Sequence, residues 1–125
     1  MSTQLKPLGF YQECDELSWN GSIHQSISST AHHEEDKILA YLRQGFVILA
    51  TTHIARDVFS PEGVPICAPH LLTDGVWIWP RTLIYYIEKY HCRLPEEFLI
   101  YLRSQNWRFP ERDTINGDAL ELPRK

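Results

Sequence analysis

Along the chain, the spacing of apolar positions switches between helical and extended periods, and the switches mark the elements. From His33 to Gln44, Ile38, Leu39 and Leu42 form one stripe, while Glu34, Glu35 and Asp36 crowd the first turn, where negative charge complements the helix dipole. Gly45 stops this predicted helix, and Ser28-Ser29-Thr30 reads as the loop before it, ending in an N-cap. Phe46-Val47-Ile48-Leu49-Ala50-Thr51 then runs apolar without alternation, the pattern of a strand buried on both faces, and so predicts the central strand. His53 to Asp57 predicts one helical turn, and Ser60-Pro61-Glu62-Gly63 a reversal. Pro65 and Pro69 keep the segment around Ile66 out of a sheet centre.

Leu71-Leu72-Thr73 and Val76-Trp77-Ile78-Trp79 flank Asp74-Gly75, a dipeptide that favours a two-residue type I′ turn, so a β-hairpin is predicted. Pro80 suits the first position of a following helix, which runs to His91 with Leu83, Ile84, Ile87 and Tyr90 on one broad face. A further helix from about Pro95 to Gln105 carries Glu96 and Glu97 in its first turn and turns Phe98, Leu99 and Leu102 inward; Trp107 and Phe109 cap the helix pair. Before all this, Leu8-Gly9-Phe10-Tyr11 and Leu17-Ser18-Trp19 have strand character, and Asn20-Gly21 predicts a turn back into Ser22 to Ile27 as an N-terminal hairpin. The order implies a single α+β domain over residues 1–110, a small, mainly antiparallel sheet packed against about three helices. Residues 111–125 form a polar tail in which Leu120 and Leu122 are able to dock.

Composition narrows the function classes. Twelve Lys+Arg against sixteen Asp+Glu give a formal charge of −4, which lacks the footprint of a nucleic-acid binder and tilts partner choice toward something basic. No apolar run approaches the roughly 18 residues that span a bilayer, and the N-terminus lacks the layout of a signal peptide. Cys14, Cys67 and Cys92 are scattered, as expected of a reducing cytoplasm and not of a disulfide framework. Asn20-Gly21-Ser22 matches a glycosylation acceptor but reads more simply as a turn.

Motifs for chemistry are sparse. Cys67-Ala68-Pro69-His70 has a metal-ligand spacing, yet a structural zinc site uses four ligands and no second pair of standard form accompanies it. The adjacent pairs His32-His33 and His91-Cys92 are poorly placed to aim both side chains at one ion, and surface histidines with buried thiols are the simpler account. Cys67 or His70 with a nearby carboxylate is the enzymatic alternative, without an identifiable third group to orient it. The isolated glycines match no phosphate-binding or dinucleotide fingerprint. No catalytic residue, metal or cofactor is therefore assigned.

One string is distinctive. Tyr41-Leu42, Gly45, Arg56-Asp57-Val58 and Pro61-Glu62-Gly63 precede Leu72-Thr73-Asp74-Gly75-x-Trp77-x-Trp79-Pro80, Tyr85-Tyr86, Tyr90-His91 and Leu94-Pro95-x-x-Phe98. This pattern resembles small bacterial immunity proteins encoded beside polymorphic toxins of the Rhs and contact-dependent type, and spans roughly residues 41 to 107. The resemblance implies a cytoplasmic protein that binds one cognate toxin domain and blocks its active site. A non-enzymatic adaptor domain is a further alternative. On the binding reading, the acidic residues Glu34, Glu35, Asp36, Asp57 and Glu62 are expected to meet the partner. Trp77, Trp79 and Tyr85 are expected as aromatic anchors, although a hairpin–helix core is the plainer role for the indoles. Tyr85 and Tyr86, being adjacent on a helix, cannot both face the core.

Overall fold

The computed structural model describes residues 3–14, 19–111, 115 and 120–121. Its strands are β1 (Thr3–Gln4), β2 (Lys6–Pro7), β3 (Phe46–Leu49), β4 (Ala55–Arg56), β5 (Pro65–Cys67), β6 (Leu71–Thr73), β7 (Trp77–Pro80) and β8 (Leu120–Glu121). The helices are α1 (Glu35–Leu42), α2 (Thr82–Tyr90) and α3 (Glu96–Ser104). A four-stranded sheet has the order β2-β7-β6-β3, with β3/β6 and β6/β7 antiparallel and β2/β7 parallel. Two small ribbons, β4-β5 and β1-β8, complete the α+β domain, as expected from the alternating periods.

The hairpin β6–β7 forms the middle of the sheet, and strand alternation sorts its residues between two faces. Leu72, Trp77 and Trp79 face Leu39, Leu42, Leu83, Ile87, Phe98 and Leu102 of the three helices. Leu71 and Ile78 join Leu5 and Phe10 in a second, smaller cluster against which Leu120 packs. Trp79 is fully buried, and its indole Nε1 donates to the Leu42 carbonyl at 3.3 Å.

The turn lies one residue later than predicted. Asp74 N–H points at the Trp77 carbonyl, so Gly75 and Val76 occupy the tip, and only Gly75 has positive φ (95°). Asp74 is instead a buried acceptor. Its Oδ1 takes the Val76 and Trp77 N–H groups at 2.9 and 2.7 Å, and its Oδ2 takes the Tyr41 hydroxyl at 2.6 Å. Pro80 ends β7, and α2 begins after Arg81 at Thr82. Helix α2 ends at His91 in the left-handed conformation (φ 52°), and the His91 ring reaches back to Glu35 at 3.0 Å.

Other expectations are corrected. The chain reverses between Gln12 and Asn20, since Asn20 N–H bonds the Phe10 carbonyl and Gln12 N–H the Gly21 carbonyl. Asn20-Gly21 is therefore not the tip of a hairpin; Leu17 and Ser18 lie outside the described residues. Ser22 to Ile27 is not a strand. Glu13 accepts from Ser22 Oγ at 2.6 Å and Ile23 N–H at 2.8 Å, and Ile23–Gln25 winds into a 3₁₀ turn. Thr30 does not cap α1; the residue before the helix is Glu34, whose N–H is taken by His32 Nδ1 at 3.0 Å. His53 to Asp57 forms no helical turn but contributes β4. The largest correction concerns Phe46–Leu49. Among the described strands this one is an edge, paired only with β6, and Val47 and Leu49 are 47 and 50 % exposed.

A Cβ on Gly45 would lie 2.7 Å from the Trp79 ring and 2.8 Å from Leu72 Cβ. Gly45→Ala is therefore expected to destabilise the domain by about 1–3 kcal/mol through overpacking. Urea unfolding should show a lower midpoint at unchanged slope. An unchanged midpoint would refute this account of the close packing at Gly45.

Candidate functional site

The candidate site is built on β3. Its residues Phe46-Val47-Ile48-Leu49 contain no charge or proline, the usual protections of a sheet edge. Ile48 falls at a register irregularity between the Val47–Leu72 and Leu49–Leu71 pairs, so the strand bends there. Ile54, Val58 and Val64 add exposed apolar surface from the neighbouring β4–β5 ribbon. Among the described residues, the only other exposed large apolar side chains are Ile27 and Ile100. Six of the eight exposed large apolar side chains among the described residues thus fall between positions 47 and 64, and a concentration of this kind marks an interaction surface.

The ribbon is fixed by a buried carboxylate and three tyrosines. Asp57, 2 % exposed, accepts the hydroxyls of Tyr85 and Tyr90 on Oδ2, both at 2.6 Å, and the Phe59 N–H on Oδ1 at 2.8 Å. Lys89 Nζ lies 3.6 Å from the same Oδ2 and donates to Tyr85. Burial alone would raise the Asp57 pKa, but the Tyr85 and Tyr90 hydrogen bonds, with Phe59 N–H and Lys89, more than offset it and leave the carboxyl below its usual range. Tyr86 takes the Val58 N–H at 3.1 Å and donates to the Arg56 carbonyl. One turn of α2 thus holds residues 56–59 in place beside β3. As expected, the two adjacent tyrosines divide: Tyr86 is buried and Tyr85 half-buried.

One cavity reaches β3 at Leu49, and a second lies by Gly45, just before the strand. One, of about 390 Å³, is lined by Leu49, Thr51, His53, Arg56, Val58 and Leu71 among others. Thr51 Oγ1 is buried with no hydrogen-bond partner, while the Thr51 N–H is held by His70 Nδ1 at 2.9 Å. The other, of about 370 Å³, is lined by Arg43, Gly45, Ile66, Leu72, Arg81 and Ile84 among others.

The anticipated contact residues distribute differently from the expectation. Trp77 and Trp79 are core residues and Asp57 is the ribbon's buried anchor, so these three are not surface contacts. The indoles fill the space between hairpin and helices, and the carboxylate is enclosed by tyrosines. Glu34 and Glu35 stand at the start of α1 but are engaged within the chain. Arg103 Nη2 lies 2.6 Å from Glu34 and holds its carboxyl below the usual range, and His91 lies 3.0 Å from Glu35. Asp36 and Glu62 are exposed, and Tyr85 is brought against Asp57. The exposed edge of β3 was missed, because an unbroken apolar run reads as burial whether the chain itself or a partner covers it.

Cys67 and Cys92 are sheltered, and the histidine pair lies just before α1. Burial raises the Cys67 thiol pKa, with Arg81 opposing it, whereas a nucleophilic cysteine needs a lowered one. Cys92 is buried with its Sγ 3.0 Å from the Tyr11 hydroxyl. His32, His33 and Glu34 bring potential metal-ligand atoms within 4.8 Å of one another. His32 Nδ1, however, already accepts the Glu34 N–H, and Arg103 already occupies the Glu34 carboxylate. That cluster suits a salt-bridged helix start better than an ion.

No protein-family model, curated protein or solved structure matches the chain. Among the described residues no helix is long and apolar enough to cross a membrane.

Replacing Asp57 by Asn removes the charge that the tyrosines and Lys89 stabilise, at an expected cost of about 1–3 kcal/mol near neutral pH. Because the folded pKa is depressed, the stabilisation is complete above the ordinary carboxylate value of about 3.9 and is lost as pH falls through the folded value. The difference in stability between wild type and Asp57→Asn should therefore shrink as denaturation is repeated from about pH 6 to pH 2. A difference that stayed constant across that range would show that the charge is not what matters.

Proposed function

We propose that this chain is an immunity protein that neutralises a cognate bacterial toxin domain in the cytoplasm by one-to-one binding and occlusion of its active site. The observation that carries the reading is the exposed, uncharged apolar edge of β3, with the apolar ribbon docked beside it. An edge of this kind is a liability for a free monomer and an asset in a chain whose task is to pair with another protein. The sequence pattern resembling immunity proteins spans this edge, the ribbon and the tyrosines that hold it. The rigid anchoring of residues 56–59 fits such a role, since a surface ordered in advance loses little freedom on binding.

The test uses the toxin domain encoded in the adjacent gene. Its activity is titrated with the purified chain, and the complex is weighed by light scattering. Complete inhibition at a molar ratio of one, with a one-to-one complex, is the expected outcome. Full protection at a small fraction of that ratio would indicate turnover and overturn the binding mechanism. Absence of inhibition at excess chain would overturn the immunity reading itself.

A further inference from the structure

We propose that the 390 Å³ cavity beside Leu49 is a socket for one tyrosine side chain of the toxin, whose hydroxyl meets the unpartnered hydroxyls of Thr51 and Thr82. The proposal rests on the toxin-binding reading above and names an anchor of that contact.

The cavity runs from an exposed mouth to a buried floor. Leu49 and Val58, 50 and 38 % exposed, stand at the mouth. Leu71, Pro80, Thr82 and Tyr86 also line it, and all four are buried. Its volume lies within the roughly 300–1,000 Å³ of sites that enclose a ligand. The walls are held in place, since the hairpin and α2 supply the floor and the Asp57–tyrosine cluster of α2 fixes residues 56–59. A socket ordered in advance costs an entering side chain little.

Hydrogen-bonding capacity is left over inside it. Thr51 Oγ1 is buried and has no hydrogen-bond partner. Because no bond holds its rotamer, one staggered step about χ1 turns the hydroxyl at small cost. Thr82 is 5 % exposed, and its hydroxyl is bonded to none of the described residues. An unsatisfied buried hydroxyl destabilises the free chain, so an occupant that bonds it removes that penalty. The Tyr86 hydroxyl, by contrast, is already committed to the Val58 N–H and the Arg56 carbonyl.

The same walls define the occupant. Apolar side chains around two hydroxyls suit an apolar body whose tip both donates and accepts. Charge at the lining has both signs. Arg56 and His53 are exposed there, and Glu13 lines the cavity as well, its carboxylate taking the Ser22 hydroxyl and the Ile23 amide. Neither a carboxylate nor an ammonium tip is selected by such a lining, and a neutral tip avoids the cost of burying a charge. Tyrosine joins an apolar ring to a neutral hydroxyl and is prominent among the anchors of protein interfaces. A second copy of this chain has no exposed tyrosine to offer, because all six are buried or half-buried.

Two measurements test the proposal, one of them without the toxin. In the free chain, a nuclear magnetic resonance titration compares p-cresol, the tyrosine side chain in isolation, with toluene. Shifts are expected at Thr51, Val58 and Thr82, with cresol binding the tighter. Thr51→Val with Thr82→Val should abolish that preference, while Thr51→Val alone, nearly isosteric and free of the unpaired hydroxyl, should not lower the melting temperature. With the toxin domain of the adjacent gene, the double variant should bind about tenfold more weakly, the effect of one lost buried hydrogen bond. Replacing the toxin's tyrosines by phenylalanine in turn should find one whose change weakens the wild-type complex but not the complex of the double variant. That coupling should be insensitive to added salt, since the contact is neutral. Cresol shifts elsewhere, or a toxin that binds with no tyrosine coupled to Thr51 and Thr82, would overturn the socket and leave neutralisation intact. A chain that takes cresol in this cavity and binds no toxin would overturn the neutralisation reading and, with it, the toxin as the source of the tyrosine.

Discussion

The carboxylate of Asp74 ties helix to sheet at the centre of the molecule. It is 1 % exposed and accepts from Tyr41 of α1 and from the Val76 and Trp77 amides of the hairpin. A buried carboxyl group is costly unless its polar atoms are hydrogen-bonded, so these partners must be in place together for the core to close. Once they are, Trp77 and Trp79 are set against the helices, each able to remove about 150–250 Å² of surface from water. The Trp79–Leu42 hydrogen bond and the close approach of Gly45 follow from the same docking of α1. With the hairpin at the centre, β2 and β3 take the flanks of the four-stranded sheet.

The second buried aspartate repeats the device at the periphery. Asp57 draws the hydroxyls of Tyr85 and Tyr90 to one oxygen, and Tyr86 holds the adjacent backbone. The β4–β5 ribbon is only a few residues long and would not be ordered by its own ladder. Its position comes from α2. The aromatic residues concentrated on that helix therefore act in the interior of the site, where they fix a surface, instead of presenting themselves to a partner.

The sequence revealed most where local rules and tertiary packing agree. The stripes of α1 and α3, the hairpin at Asp74-Gly75 and the exclusion of Pro65 from the sheet centre all follow from period and turn chemistry. It misled where a side chain replaced a backbone partner. Asp74 supplies the acceptors that position the turn, so a single positive φ at Gly75 suffices and the tip moves by one residue. Glu13 captures the amide of Ile23, and a segment with strand-like composition becomes a 3₁₀ turn. Neither event has a signal in hydrophobic spacing.

The candidate site was the least legible part, for a related reason. Apolar period reports that a residue is to be covered, not by what, and Phe46–Leu49 has the pattern of an interior strand while standing at an edge. Counting carboxylates pointed to the start of α1, yet Glu34 and Glu35 are bound to Arg103 and His91 within the chain. Net charge is an average over the chain, whereas a partner meets the charges left unpaired near the surface it covers. Near β3 these include Arg56 and Arg81, so a chain that is acidic overall still shows cationic groups close to its exposed apolar strand.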